Sequence, residues 1–271
     1  MNGASREALA AARESLDALT DNTSVDAAKL AEELAAVTAL LQREVSLRRV
    51  LTDPSQAGEA RAELAGRLLR GQVGGETVDL ISGMVRSRWS QSRDLVDSTE
   101  ELANTADLTA AQRGGDLDDV EDELFRFGRI VASDKGLRAA LTDRSASASA
   151  KGQLLHSLLG GKARPATERL ITRLVTQPRG RSLEEGLESL SKLAAERRER
   201  MVAVVTSAVP LSDRQKQRLG AALAKIYGRP MHLNLDVDPT VLGGIAVRVG
   251  DEVINGTISE RLEEATRRMA G

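Results

Sequence analysis

The sequence predicts a mainly α protein: two tandem helical bundles followed by a small α+β C-terminal domain. Three observations lead there. Ala (38) and Leu (37) supply 75 of the 271 residues, about 28%, while two Phe, one Trp and one Tyr are the only aromatics. Such a balance favours helices whose cores are built from aliphatic side chains. A long segment repeats itself at a shift of 90 residues. Past Arg200 the helical spacing gives way to short β-branched and alternating runs.

The first helix is marked by Leu9, Ala12, Leu16 and Leu19 on one face, with Ser5 as its expected N-cap and residues 21–24 as its end. Leu30, Leu34, Val37 and Leu41 form a second amphipathic face, and Leu47, Val50 and Leu51 a shorter one that stops at Thr52, Asp53 and Pro54. Further helices are expected near 57–70, 77–88 and 92–107.

The repeat begins with LRRVLTD at 47–53, which returns as LRAALTD at 137–143. Between 47 and 85 there are 15 identities in 39 positions, where biased composition alone gives roughly three. Leu34 then pairs with Leu124, Val37 with Phe127 and Leu41 with Val131, so both amphipathic faces persist. The second copy has no separate counterpart of the first helix, and the segment 92–110 occupies its place. Residues 112–115 are expected to be a connection between bundles. The acidic run from Asp116 to Glu123 then suits a helix first turn, where carboxylates meet the positive dipole end. The predicted domains are thus 1–111, 112–200 and 201–271.

In the last of these, residues 201–206 read as a strand and 213–227 as a helix carrying Leu219, Leu223 and Ile226. Residues 232–237 alternate polar and apolar; Ile245, Val247 and Val249 alternate again before a two-residue turn at Gly250 and Asp251, a hairpin signal. A final helix over 257–269 is expected to turn Ile258, Leu262 and Met269 towards the sheet.

Composition excludes much chemistry. Lys and Arg (38) against Asp and Glu (40) leave a formal charge of −2, so no global basic field draws the chain to nucleic acid or anionic lipid. With no Cys there is no disulfide, thiolate metal site or cysteine nucleophile. His156 and His232 are the only histidines, and both read as structural or surface residues. No catalytic, cofactor-binding or metal-binding residue is predicted. Gly160, Gly161 and Lys162 lack the upstream Gly and the following Ser or Thr of a phosphate loop, and read as an interhelical loop. Arg61, Arg67, Arg70, Arg86, Arg88 and Arg93 read as a solvated or protein-facing surface more than an RNA face, since only Trp89 accompanies them as a ring. The N-terminal stretch has neither the apolar core of a signal peptide nor that of an anchor, and no segment approaches the length of a spanning helix.

The stretch 231–262 carries Met231, Leu233, Val237, Asp238, Val241, Gly243, Gly244, Ile245, Val247, Arg248 and Gly250 in one ordered set. It resembles the C-terminal signature of the delta subunit of F-type ATP synthases, the family that includes the mitochondrial oligomycin-sensitivity-conferring protein. Residues 137–160 resemble that family's helical domain. The resemblance marks Asp238, Gly243, Gly244, Arg248 and Gly250 as structural motif residues and assigns no individual partner-binding residue. It departs in two places: the family usually has one helical domain, and Asn255 stands where it commonly has Asp.

The resemblance implies a non-catalytic, peripheral-stalk (stator) subunit with no cofactor. Its helical domain would dock on N-terminal segments of the alpha subunits, and its C-terminal region would join the b-type stalk subunits. It would reach the membrane only through the complex, at the cytoplasmic face of the cell membrane. From the residues alone, a helical-repeat adaptor that binds amphipathic peptide helices also fits the bundles.

Overall fold

The computed structural model describes residues 2–21, 24–199, 202–227, 231–238, 244–249 and 252–255. They form two compact units, Met1–Ala194 and Ala195–Gly271. The expected final helix, with Ile258, Leu262 and Met269, lies outside the described residues.

The first unit opens with α1 (Gly3–Asp21), α2 (Ala27–Arg43), α3 (Val45–Leu51), α4 (Gly58–Leu69), α5 (Gly75–Arg86) and α6 (Ser92–Gly114). It continues with α7 (Leu117–Ser133), α8 (Lys135–Thr142), α9 (Ala148–Leu159) and α10 (Pro165–Thr176); α11 (Leu183–Glu199) runs through the unit boundary. Local chemistry sets these ends. Asp26 caps α2 by accepting from the Ala28 and Lys29 amides, Asp134 caps α8 through the Leu137 amide, and Ser147 caps α9 through the Ala150 amide. Pro165 supplies the first residue of α10, where its missing N–H costs nothing.

Helices α7, α9 and α10 begin and end 90 residues after α2, α4 and α5. Contacts recur at the same shift. The Glu33 carboxylate of α2 accepts from the Gly74 amide at 2.9 Å and from the Thr77 hydroxyl, tying the start of α5. Glu123 of α7 accepts from the Arg164 amide at 2.9 Å and from the Thr167 hydroxyl at the start of α10. Arg48 donates to the Leu41 carbonyl and Arg138 to the Val131 carbonyl. Hydrogen bonds from Ser55 hold the Asp53 carboxyl below its ordinary range, and the Ser145 amide and hydroxyl do the same for Asp143. Leu34 and Leu124, Ile81 and Ile171, and Leu51 and Leu141 are all buried.

Helix α6 packs against α1, α2, α3 and α5 and also against α7 and α10. Fourteen of its 23 residues are buried, so it has no single apolar stripe. Its carboxylates are matched one by one. Ser5 donates to Asp94 at 2.7 Å, and Arg13 reaches Glu101 at 2.5 Å. From α10, Arg169 and Arg173 take the two oxygens of Asp107 at 2.6 and 2.8 Å. The turn after α10 adds Arg179 on Asp97 at 2.8 Å and on Glu100, with Arg181 on Glu100 at 2.7 Å. Arg179 holds φ 49 and Gly180 φ 80, a tight left-handed turn anchored by Arg93 donating to the Arg179 carbonyl at 2.6 Å. Burial, reinforced by Arg181 and Arg93, pushes the Arg179 guanidinium down to about 10, against the pull of Asp97.

Two expectations are corrected. Residues 112–114 are not a connection, because α6 continues through Gly114 and breaks only at Gly115. There φ is 78, the Asp116 amide bonds the Ala111 carbonyl and the Gly115 amide the Gln112 carbonyl, a glycine-dependent helix stop that satisfies the last carbonyls. Ser5 is not the N-cap of α1: the helix starts at Gly3, and the buried Ser5 hydroxyl links the Ser90 amide to Asp94.

The second unit holds β1 (Val202–Ser207), α12 (Asp213–Tyr227), β2 (His232–Val237), β3 (Ile245–Val249) and β4 (Glu252–Asn255), with sheet order β2-β1-β3-β4. Strands β1 and β2 are parallel, joined through α12, whereas β3 pairs antiparallel with both β1 and β4. Ala203, Val205, Val247 and Val249 alternate onto one face and meet Leu223 of α12, with Leu219, Tyr227 and Leu233 around them. The hairpin register pairs Val249 with Glu252.

Glu100 is buried and shared by two guanidiniums. Replacing Glu100→Gln removes the buried carboxylate shared by Arg179 and Arg181, leaving the buried Arg179 with Asp97 alone, and is expected to destabilise the first unit by about 2–3 kcal/mol. Urea denaturation followed by circular dichroism measures this; a loss below about 1 kcal/mol contradicts the account.

Candidate docking groove

Between α1 and α5 the first unit leaves a groove of about 250 Å³. Helix α1 contributes Ala8, Ala11, Ala12, Ser15 and Leu19, and α5 contributes Asp79, Leu80, Gly83, Met84 and Ser87. Ala8, Ala12, Leu80 and Met84 are buried and form its floor. Ala11, Ser15, Gly83 and Asp79 are exposed along its lips. A Cβ placed on Gly83 meets no atom within 4 Å, so the missing side chain is open space and not a packing necessity. Small lip residues let another helix approach closely, the apolar floor accepts an apolar stripe, and Asp79 favours a basic residue beside it.

The sequence-predicted motif residues lie in the second unit. Asp238 follows β2, and its amide donates to the Ser207 carbonyl at 3.0 Å at the end of β1. Gly244 stands just before β3 with φ 83. Arg248 is exposed on β3, opposite Val204 and Val253 in register and on the face away from Val247 and Val249. Gly243 and Gly250 lie outside the described residues. The structure therefore brings Asp238, Gly244 and Arg248 to the strand ends and outer face of one small sheet.

Other singled-out residues are dispersed. His156 is an exposed residue of α9 whose Nδ1 lies 2.7 Å from Glu168. His232 belongs to β2. Gly160, Gly161 and Lys162 connect α9 to α10. The arginines make no continuous free face. Arg61 is buried and donates to the Asp53, Arg86 and Ser87 carbonyls, which closes the end of α5, while Arg67 pairs with Glu63 and Arg86 with Glu59. Trp89 is buried, its indole N–H donating to the Met84 carbonyl at 2.8 Å, so it offers no stacking surface. Among the described residues no group of three or more His, Cys, Asp or Glu can hold a metal ion, and no helix is long and apolar enough to cross a membrane.

The leucine stripe of α1 dominates its periodicity and masks the groove in the sequence. Its signal is the neighbouring stripe of small residues, Ala8, Ala11, Ala12 and Ser15, at three- and four-residue spacing.

Comparison with known proteins adds the family. A family model described as ATP synthase delta (OSCP) subunit matches residues 105–269. The chain belongs to the ATP synthase delta (OSCP) subunit family. The match spans α7 to α11 and the second unit, with only the last part of α6, so the groove between α1 and α5 lies ahead of it. Full-length delta subunits nevertheless include that region. The ATP synthase subunit delta of Streptomyces griseus is 86% identical over 271 residues, covering all of both chains. That of Streptomyces coelicolor is 77% identical over 100% of this chain and 98% of its own length, and that of Thermobifida fusca is 48% identical over all of both.

Because Gly83 sits mid-helix over open space, Gly83→Ala is expected to raise the stability of the first unit by about 0.5–1 kcal/mol. Thermal and urea unfolding measure it. Destabilisation would show that the lip is packed, not open.

Proposed function

We propose that the chain is a peripheral-stalk subunit of an F-type ATP synthase, a structural part of the complex and not an enzyme in its own right. It links the catalytic alpha/beta head to the membrane-anchored b-type subunits and resists rotor torque. The observation that carries this is the 86% identity to an ATP synthase subunit delta over the whole of both chains.

The groove between α1 and α5 takes an amphipathic N-terminal segment of an alpha subunit: an apolar floor and small lips suit a helix, and no catalytic group is needed. The second unit, which carries Asp238 after β2, Gly244 before β3 and Arg248 on β3, together with the motif glycines Gly243 and Gly250 of the sequence, joins the b-type subunits. The helices of 1–111 and 112–200 are two copies of one bundle that share α6, the last helix of the first copy standing in the place of a first helix for the second. The recurrence of the Glu33 and Glu123 contacts at a shift of 90 supports that relation. The chain then reaches the cytoplasmic face of the cell membrane only through the complex.

Tagged full-length chain expressed in cells that make the synthase is expected to recover the alpha, beta and b-type subunits together from detergent-extracted membranes. Membranes lacking the chain are expected to keep ATP hydrolysis but lose ATP-driven proton pumping, because an untethered head turns with the rotor. Clean absence of these subunits in the pull-down, with the chain folded, would overturn the proposal in favour of an adaptor for amphipathic peptide helices.

A further inference from the structure

We infer that the occupant of the α1–α5 groove is a cationic amphipathic helix, held by its apolar stripe in the groove and by Lys or Arg side chains along both of its flanks. This rests on the docking reading of that groove given above and adds the chemistry by which a partner helix is chosen.

Both walls of the groove carry carboxylates. On α1, Glu7 stands one turn before Ala11 and Glu14 three residues after it, on the side of the helix that carries the lip residues Ala11 and Ser15. On α5, Glu76 stands one turn before Leu80, and Asp79 one turn before Gly83. All four are exposed. None of them has a hydrogen-bond or ion-pair partner among the described residues. The cations of the same two helices do not offset them. Arg13 pairs with Glu101 and Arg86 with Glu59, while Arg6, two residues before Ala8, lies on the far face of α1.

Where helices of this unit already meet, the pattern is different. Along α6, Glu100, Glu101 and Asp107 each meet an arginine from another segment. The rim of the groove lacks such partners, and its carboxylates repel one another and any anionic helix, whereas a cation brought alongside relieves them. Glu7 and Glu14 are about 10 Å apart along α1, so a helix lying in the groove meets both with side chains two turns apart. The apolar floor accepts any apolar stripe; the rim discriminates, by repelling acidic flanks.

The test is calorimetric titration of the full-length chain with two synthetic helical peptides of about 18 residues, roughly 27 Å long. Both carry the same stripe of Ala and Leu, flanked on both sides by Lys in one and by Glu in the other. In about 20 mM salt the Lys peptide is expected to bind at least about tenfold more tightly than the Glu peptide, and in about 500 mM salt the ratio is expected to fall below about twofold. The variant Glu7→Gln/Glu14→Gln/Glu76→Gln/Asp79→Asn is expected to lose the preference, and Asp79→Lys alone to weaken the Lys peptide about threefold or more. Circular dichroism checks that both variants keep the helical fold. Gly83→Gln, which fills the lip without changing its charge, is expected to weaken the Lys peptide at least about fivefold. Equal binding of the two peptides, or a preference that survives neutralisation of the rim, with Gly83→Gln still weakening binding, overturns the inference and leaves the groove a docking site. Binding untouched by Gly83→Gln, or no binding of either peptide, defeats the docking reading and the inference with it. If the Lys peptide binds as expected and a peptide from the N-terminus of the alpha subunit does not compete with it, the inference stands and the alpha subunit is not the occupant.

Discussion

The carboxylates of α6 set the terms on which the first unit packs. Asp94, Glu100 and Asp107 are buried, and Asp97 and Glu101 are partly so, along a helix covered by neighbours on several sides. A buried carboxylate is costly unless it is hydrogen-bonded or paired, so each needs a partner from another segment. Ser5 and Arg13 come from α1, Arg169 and Arg173 from α10, and Arg179 and Arg181 from the turn that follows. Matching these groups fixes which helices lie against α6 and in what register, which apolar contacts alone specify loosely. One helix thereby organises two sets of neighbours.

That arrangement links sequence repetition to asymmetry. Both sets keep the glutamate that ties the second helix of the set to the fifth, and both keep the buried leucines and isoleucines at matching positions. They differ where α1 meets α5 and where α6 meets α10. The first contact is made by alanines and a glycine and leaves a groove; the second is made by arginines on an aspartate.

Much of the fold was legible because most helices and strands bury one face and expose the other. The stripe Leu30, Leu34, Val37 and Leu41 announced α2, and the alternation Ile245, Val247 and Val249 announced β3 with its hairpin partner. What failed was specific. Gln112, Arg113 and Gly114 look like a loop in the sequence, whereas the stop of α6 depends on Gly115 adopting a left-handed conformation. Ser5 looked like a cap because its partner, Asp94, is 89 residues away and tertiary. Arg61 looked like surface because nothing local reveals that it closes the end of α5. The groove was hidden for the opposite reason: it is formed by what small residues leave empty, and hydrophobic periodicity reports only what is filled.

Because α6 packs on both sets of helices, the two unfold as one cooperative body. Trp89 is the only tryptophan and lies in the core of the first set. Its fluorescence therefore reports the first set, and a Phe127→Trp/Trp89→Phe variant reports the buried face of α7 in the second. The account predicts urea transitions for the two probes that coincide in midpoint and slope. Separate transitions, with one set melting while the other stays folded, would contradict it.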